Sequence, residues 1–574
     1  MPDRAAARPP RDGAWETLAS AMADLRALQG AVGLLQWDQE TYMPARGAEA
    51  RGEQLAAIQA ALHERLTSPR VAEALDRAGQ DASDPDRAAT IRALRFDHER
   101  AARVPPDLVR ALAQAQAEGV DAWKDARAQN AFQVFAPRLE RLVALRREQA
   151  DALMPVLERS SRRQVSPAVR AQGQADEPAP ERARGTGGAG FIAPPARSPP
   201  GQANEPGPER ATGGPGGAAP PSKIEAYDAL LDGYEPGMRV ARLAPLLEHL
   251  VGWLVPVVEK LERAPRPDAS FLEGTFPAEA QWRFTLELLA ILGFDPGAGR
   301  QDRSVHPFSL GLDPSDVRLT TRIFEDQPLS AIFSTLHEGG HGLYEQGLAA
   351  ADRRSVLGAA PSMGLHESQS RLWENLVGRS LPFWRACLPR LARELPRLAG
   401  VPVDSFHRAA NRVERSRVRV DADEVTYNLH IALRFELELA LLRGELRVRE
   451  LPDAWSARSE ALLGLRPETD ADGVLQDIHW AQGDLGYFPT YTLGNLYAAT
   501  LYAAAEREIA GLGEAIAQGD LAPLRRWLTE KVYRVGRRKD AEEIVRDATG
   551  EGLTDRDFER YVKTKYGALY GVAL

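Results

Sequence analysis

The chain has 574 residues, 44% hydrophobic and 27% charged, which is the balance of a folded globular protein with an extensive core. Its 72 Lys and Arg residues against 81 Asp and Glu residues give a net charge of -9, which argues against a nucleic-acid partner. The single cysteine, Cys387, excludes an intrachain disulfide and a metal cluster built on cysteines, so a bound metal would need His and carboxylate ligands.

The N-terminal part of the chain has a helical pattern. Residues 1–13 are polar and contain no apolar core of a signal peptide, so we expect a disordered start, no secretory signal and a cytoplasmic protein. From 14 to 159 apolar residues recur every three or four positions, as in Trp15, Leu18 and Met22, which predicts amphipathic helices. No apolar run reaches the roughly 20 residues of a membrane span, so we expect no membrane partner.

The composition changes between residues 160 and 222. Pro, Gly, Ala, Arg and Glu dominate this segment, and the ten residues from Gly173 recur with small changes from Gly201. Because such a segment cannot bury enough apolar surface to offset its ordering entropy, we predict a disordered insert in a surface loop. Helical periodicity resumes at 223 and continues to 574, and this part carries the candidate site.

A short strand and a long helix are predicted next to each other. Val317, Leu319 and Thr321 alternate with polar residues, which indicates a strand. The sequence Asp326-Gln327-Pro328 then favours the start of a helix, because proline at the first helical position loses no hydrogen bond.

This helix contains the sequence His337-Glu338-Gly339-Gly340-His341. Positions i and i+4 lie one turn apart on the same face, so the two imidazoles can reach one ion, and Glu338 is placed to act as general base on a water. Two glycines inside a helix each cost roughly 1 kcal/mol relative to alanine, which is reasonable where another backbone approaches closely.

A zinc site of this class needs a third ligand. The candidates are Glu367, 26 residues after His341, and Glu374, two helical turns further along the same face. We favour Glu367, with the other glutamate accepting a hydrogen bond from a ligand imidazole. Glu436 and Glu438 could mimic a paired-carboxylate site, but a spacing of two puts them on different faces of a helix, so we interpret them as structural.

Several segments together resemble the thermostable (Taq-type) metallocarboxypeptidase family. The resemblance covers nearly the whole chain except the first dozen residues and the Pro/Gly-rich insert. The matching segments are Trp37 to Pro44, Tyr227 to Leu231, His306-Pro307-Phe308, Asp316 to Thr320, His337 to His341, His366-Glu367-Ser368-Gln369, Gln476 to Trp480 and Gly486 to Tyr491.

The resemblance implies a mainly α fold with a deep central groove and a small β-sheet beside the active-site helix. It also implies a homodimer with one divalent metal ion per chain, Zn or alternatively Co, which removes single amino acids from peptide C-termini. The implied metal ligands are His337, His341 and Glu367.

The same resemblance identifies a substrate side. Tyr487, helped by His479, is expected to stabilise the oxyanion, and Tyr491 to line the substrate rim. Arg419 matches the family segment better than Arg417 and is expected to bind the substrate carboxylate, because a guanidinium pairs with a carboxylate through two parallel hydrogen bonds.

Two alternatives remain open from the sequence. One is an oligopeptidase with the same metal site, which would cleave internal bonds of C-terminally amidated peptides. The other is a non-catalytic peptide-binding scaffold, although a scaffold has no need for the general base Glu338.

Overall fold

The computed structural model describes residues 13–79, 84–164 and 224–574. The start that we predict to be disordered lies outside the described residues, except for Gly13. The predicted insert also lies outside them from residue 165 to 222. The last N-terminal helix continues to Gln164, past the predicted boundary at 159. Residues up to Leu157 and from Glu225 to Leu574 form one compact unit, and Glu158–Ile224 are assigned to a second.

The N-terminal part consists of consecutive helices, as the periodicity predicts. Leu18, Met22 and Leu25 of the first helix are buried against apolar side chains of the third and fourth helices. The helices are α1 (Gly13–Thr41), α2 (Ala48–Thr67), α3 (Pro69–Ala78), α4 (Pro85–Arg103), α5 (Pro106–Gln129) and α6 (Phe132–Gln164), with a 3-10 turn at Ala45–Gly47.

The second part is also mainly helical, which confirms the predicted fold class. Its helices up to the middle of the chain are α7 (Ala226–Leu231), α8 (Val240–Arg263), α9 (Ala278–Leu292), α10 (Pro328–Gly347), α11 (Met363–Arg371), α12 (Leu381–Glu394) and α13 (Val403–Ala410). The remaining helices are α14 (Tyr427–Arg443), α15 (Leu451–Leu463), α16 (Pro489–Glu508), α17 (Leu512–Ala517), α18 (Ala522–Lys531), α19 (Ala541–Thr549) and α20 (Arg556–Tyr570).

Shorter helical segments connect these elements. A π-helix, Leu372–Val377, continues directly from α11. The 3-10 segments are Ser270–Leu272, Ala350–Asp352, Pro396–Leu398, Arg419–Asp421, Val448–Glu450 and Tyr533–Arg538.

A three-stranded sheet lies beside α10, and its strands are β1 (Gly299–Arg303), β2 (Ser309–Asp313) and β3 (Asp316–Thr321). The central strand β3 pairs in parallel with β1 and antiparallel with β2. β3 is the predicted strand. A Cβ atom on Gly311 would collide with the carboxylate of Glu345, so β2 approaches α10 closely.

Among the described helices, α8 is long and apolar enough to cross a membrane. Leu243, Leu250 and Leu254 of this helix have no exposed surface, because they pack into the protein core. Their spacing of four and seven is that of a core-facing helix stripe.

The approach of α10 to α11 is close enough for backbone contact. A Cβ atom on Gly340 would lie 2.5 Å from the carbonyl oxygen of Gln369 and 2.8 Å from the Cα of Ser370. A Cβ atom on Gly339 would lie 2.7 Å from the side chain of Leu292 in α9. The two helix-interior glycines therefore stand where neighbouring atoms leave no room for a side chain, as their cost in helix propensity suggests.

We expect Gly340→Ala to destabilise the fold by about 1–3 kcal/mol, because the new methyl group must push α10 and α11 apart. Gly252→Ala in α8 is the matched control, since its Cβ atom would meet nothing within 4 Å and alanine favours a helix. Thermal unfolding of both variants checks this. An unchanged midpoint for Gly340→Ala would contradict the close packing.

Candidate metal centre and active site

Two helices bring three candidate ligands together. His337 and His341 lie one turn apart on α10, and α11 places Glu367 against both rings. The carboxylate Oε2 of Glu367 is 3.6 Å from Nε2 of His337 and 3.3 Å from Nε2 of His341. One ligand atom from each residue lies within 4.8 Å of the others, which is the spread that a single ion requires.

Glu367 reaches the histidines because α16 leaves space behind it. A Cβ atom on Gly494 of α16 would lie 2.5 Å from Cγ of Glu367. The ligand carboxylate is thus wedged between α10 and α16, and it is 6% exposed. A glycine on either side, at 340 and 494, allows α11 to lie this close.

Arg371 fixes the orientation of the Glu367 carboxylate. Its Nε donates to Oε1 of Glu367 at 2.7 Å, and the hydroxyl of Ser370 donates to Oε2 at 3.0 Å. Burial alone would raise the pKa of Glu367, but Arg371 and His337 lower it well below its usual value. The carboxylate is therefore ionised, as a metal ligand must be.

Glu374 lies on the other side of the His337 ring and not among the three converging atoms. Its Oε2 accepts a hydrogen bond from Nδ1 of His337 at 2.9 Å. Burial opposes ionisation, but the bond to His337 and the charge of Arg371 lower the pKa of Glu374 to about 2. An ionised carboxylate only accepts, so Nδ1 of His337 carries a proton, and Nε2 is the ring nitrogen that faces Glu367.

The protonation states of the two histidines fit a cation. Burial and the neighbouring His366 lower the pKa of His341 to about 4, so this ring is neutral, and its Nδ1 is buried without a hydrogen-bond partner in the described part of the chain. Burial alone would lower the pKa of His337, but Glu367 and Glu374 raise it, which shows that this position attracts positive charge. A divalent ion would take the place of the proton on Nε2 of His337, and two neutral imidazoles with one ionised carboxylate form a suitable set for it.

A stacked imidazole supports His341 from behind. The ring of His366 lies parallel to that of His341, with 4.5 Å between centroids and 18° between planes. Nε2 of His366 is 2.8 Å from Oε1 of Glu345, and this contact holds the supporting ring in place.

Glu338 is buried beside these ligands, with 6% of its surface exposed. Burial raises the pKa of its carboxyl group to about 7, although the charge of His337 acts in the opposite direction. A carboxyl group with a pKa near neutrality can both take up and release a proton, which is what a general base in hydrolysis requires.

Three of the residues predicted on the substrate side, His479, Tyr487 and Tyr491, lie next to one another. The rings of Tyr487 and Tyr491 are 5.3 Å apart, and Nε2 of His479 lies 3.2 Å from the hydroxyl of Tyr491. Burial and the negative charge of Glu367 raise the pKa of Tyr487, so its phenol is protonated. Burial and the charge of Arg419 lower the pKa of His479 to about 3, so its ring is neutral.

Arg419 lies next to this aromatic group, with its guanidinium carbon 5.1 Å from the ring centroid of Tyr491. Its Nε and Nη2 donate to the same oxygen of Asp477 at 2.9 and 2.7 Å, and its Nη1 donates to the hydroxyl of Tyr427 at 2.7 Å. The side chain is buried. A guanidinium has five N–H donors, so two remain after these three bonds, and its role as substrate ligand stays a prediction.

Other predicted positions lie outside the site. His306 is exposed in the loop between β1 and β2. Arg318 pairs with Asp316 on β3 and covers the ring of Trp37 at 4.7 Å, so it organises the sheet.

Sequence reasoning missed Arg371 and the pair formed by Asp477 with Arg434. Arg371 follows Glu367 by four residues, and this helical spacing alone could have identified it. The pair between Asp477 and Arg434 spans 43 residues and gives no local signal.

Comparison with known proteins gives one consistent result. The family model described as "Carboxypeptidase Taq (M32) metallopeptidase" matches residues 17–161 and 218–566. Thermostable carboxypeptidase 1 of Thermus thermophilus is 41% identical over 565 residues, which cover 98% of this chain and 99% of that protein. Carboxypeptidase 1 of Bacillus subtilis is 32% identical, over 94% of this chain and 95% of that protein.

A solved structure shows the same fold over almost the full length. The crystal structure of the M32 carboxypeptidase from Deinococcus radiodurans R1 aligns with a TM-score of 0.84 and 36% sequence identity. The alignment covers 98% of this chain and all of that one.

The choice between the two glutamates can be tested by metal affinity. We expect Glu367→Gln to weaken zinc binding at least roughly tenfold more than Glu374→Gln, because the first change removes an anionic ligand and the second only the acceptor behind His337. Competition with a chromogenic chelator measures both affinities. The reverse order would make Glu374 the ligand.

Proposed function

The chain belongs to the carboxypeptidase Taq (M32) metallopeptidase family and is a metal-dependent carboxypeptidase acting on peptides, and we propose how its own residues perform this reaction. In this proposal His337, His341 and Glu367 hold one divalent ion, Glu338 is the general base, and single amino acids leave the peptide C-terminus. The observation that carries the proposal is the convergence of three ligand atoms within 4.8 Å beside the buried carboxyl group of Glu338.

Zinc is the ion that this ligand set favours, with cobalt as the alternative. Two imidazoles and one carboxylate are a ligand set of catalytic zinc sites, which keep a further position open. When bound, such an ion supplies Lewis acidity, which acidifies water and polarises a peptide carbonyl group.

Glu338 moves the proton in this scheme. One carboxylate oxygen of Glu338 takes a proton from the attacking water and delivers it to the nitrogen of the leaving amino acid. Its pKa of about 7 suits both transfers, because the group neither holds nor releases the proton too strongly at neutral pH. Its burial also keeps competing water away from the carboxylate.

Tyr487 is the proposed donor to the oxyanion. Its phenol is protonated and its pKa responds to the charge of Glu367, and we propose that its O–H points to the oxygen on which negative charge develops. His479 supports Tyr487 through the ring packing of the two side chains, whose centroids are 5.5 Å apart. Tyr491 binds His479 and lines the substrate side.

Arg419 is the proposed partner of the substrate's C-terminal carboxylate. Asp477 and Tyr427 hold its guanidinium in place, and the two N–H groups that these bonds leave over can donate to a carboxylate. A fixed guanidinium loses little side-chain entropy on binding, which favours recognition of a free C-terminus.

A homodimer and a cytoplasmic location complete the proposal. The family resemblance supports the dimer. Light scattering on the purified protein tests the first.

Glu338→Gln should keep the metal and lose about 10²- to 10⁴-fold in kcat, because the amide cannot accept the proton from water. Hydrolysis of a blocked tripeptide and plasma emission of bound zinc measure the two quantities on one preparation. Near-normal turnover by the zinc-loaded variant would refute the role of Glu338.

The carboxylate role of Arg419 is tested with a blocked tripeptide and its C-terminal amide. We expect cleavage of the acid and at least roughly tenfold slower cleavage of the amide, since the amide cannot form a charged pair with the guanidinium. Arg419→Lys should raise KM for the acid and leave the amide unchanged.

Arg417→Lys is the matched control for this change. Arg417 is half-exposed and pairs with Glu468 at the surface, so its replacement should change neither rate. Equal cleavage of acid and amide by the wild-type enzyme would instead indicate an oligopeptidase mode.

A further inference from the structure

The candidate catalytic residues His479 and Tyr487 lie on a loop without helix or strand, which leads into α16. Such a loop has no hydrogen-bond ladder of its own, so other contacts must fix the position of its side chains. The substrate-side role of both residues is part of the proposed function, and the inference below rests on it.

One buried carboxylate reaches this loop at two points. Glu438 of α14 has no exposed surface, and its Oε1 accepts from the indole N–H of Trp480 at 2.8 Å. Its Oε2 accepts from the backbone N–H of Gly486 at 3.0 Å and from the hydroxyl of Tyr227 at 2.9 Å. Trp480 follows His479 in the chain, and Gly486 precedes Tyr487.

We propose that Glu438 is a positioning residue of the carboxypeptidase reaction, which holds His479 and Tyr487 at the distance from the metal ligands that catalysis requires. Both oxygens of its carboxylate are used, and each contacts a residue next to one of the two side chains. The contact spans the loop, so movement at one point is opposed at the other.

The second side of the loop supports the same assignment. Gly486 has φ of 90°, and a Cβ atom there would lie 2.9 Å from the backbone nitrogen of Leu231 at the end of α7. Tyr227, the third donor to Glu438, also belongs to α7. The loop is therefore held between α14 and α7, with the Glu438 carboxylate as the common acceptor.

Contacts within the loop transmit this restraint to the catalytic side chains. The backbone N–H of Asp484 donates to the carbonyl oxygen of His479 at 2.8 Å. The ring of Tyr234, just after α7, meets the ring of Tyr487 edge-on with 5.1 Å between centroids. If Gly486 moved, the phenol of Tyr487 would therefore change its position relative to the candidate metal ligands.

Glu438→Gln tests this role with a side chain of nearly unchanged size. A glutamine has one accepting oxygen, and its NH₂ group cannot accept from Trp480, Gly486 or Tyr227, so at least one of the three bonds is lost. We expect kcat to fall roughly 10- to 100-fold, in line with the sensitivity of catalysis to displacements of about 1 Å. Bound zinc and KM should change less than threefold, because the metal ligands and Arg419 are not attached to Glu438.

Glu436→Gln is the matched control. Glu436 lies two residues away on the same helix, but it pairs with Arg458 at the surface, so kcat should stay within twofold of wild type. If Glu438→Gln does not fold, Tyr227→Phe takes its place, because it removes one donor to Glu438 without introducing an amide. Tyr227→Phe should also lower kcat.

A double-mutant cycle with Tyr487→Phe decides between positioning and general destabilisation. If Glu438 acts through Tyr487, Glu438→Gln should lower kcat less than threefold in the Tyr487→Phe background. An equal fall in both backgrounds would overturn the inference. If Tyr487→Phe is impaired and Glu438→Gln is not, the inference about Glu438 is wrong and the proposed function is unaffected. If Tyr487→Phe is itself unimpaired, the proposed role of Tyr487 is wrong.

Discussion

The candidate metal centre depends on one largely buried cation, Arg371. Its guanidinium bonds to the ligand carboxylate of Glu367 and lies 3.5 Å from the carboxylate of Glu374, which orients His337. Without a cation between them, two ionised carboxylates this close in a buried site would repel each other, and one would take up a proton. Arg371 therefore allows two carboxylates to be ionised together, that of the candidate ligand Glu367 and that of Glu374, which accepts from His337.

The same principle recurs on the substrate side. Asp477 is buried between Arg419 and Arg434, and each guanidinium bonds to a different oxygen of its carboxylate. Tyr427 connects the two charge groups, because Arg371 lies 4.3 Å over its ring and Arg419 donates to its hydroxyl. The candidate metal centre and the loop proposed to bind substrate thus share one aromatic ring between two guanidinium groups, so packing and charge together set their relative position.

The sequence predicted those features that local spacing determines. The helical parts, the strand before α10, the start of α10 at Pro328 and the face shared by His337 and His341 all follow from periodicity or capping. The close approach at Gly340 also followed, because glycine inside a helix has a cost that needs a reason. Spacing favoured Glu367 over Glu374 as the third ligand, but it did not show that the two glutamates lie on opposite sides of the His337 ring. The bonds of Glu438 join segments far apart in sequence, and a buried glutamate in a leucine-rich helix shows no pattern that predicts its partners.

The π-helix at Leu372–Val377 makes the number of residues in this segment important, whatever their types. A π-turn contains one residue more than the α-turn it replaces. Removal of Leu372 or Trp373, which precede Glu374, would restore a regular α-helix and rotate Glu374 by about 100° relative to α11. Every residue type of the centre would still be present, yet the carboxylate and the imidazole would no longer face each other. The family match passes over residues 162–217 of this chain. Between Glu367 and α12, in contrast, an alignment of relatives should show no gap. A single-residue deletion there would mark a member whose centre is built differently.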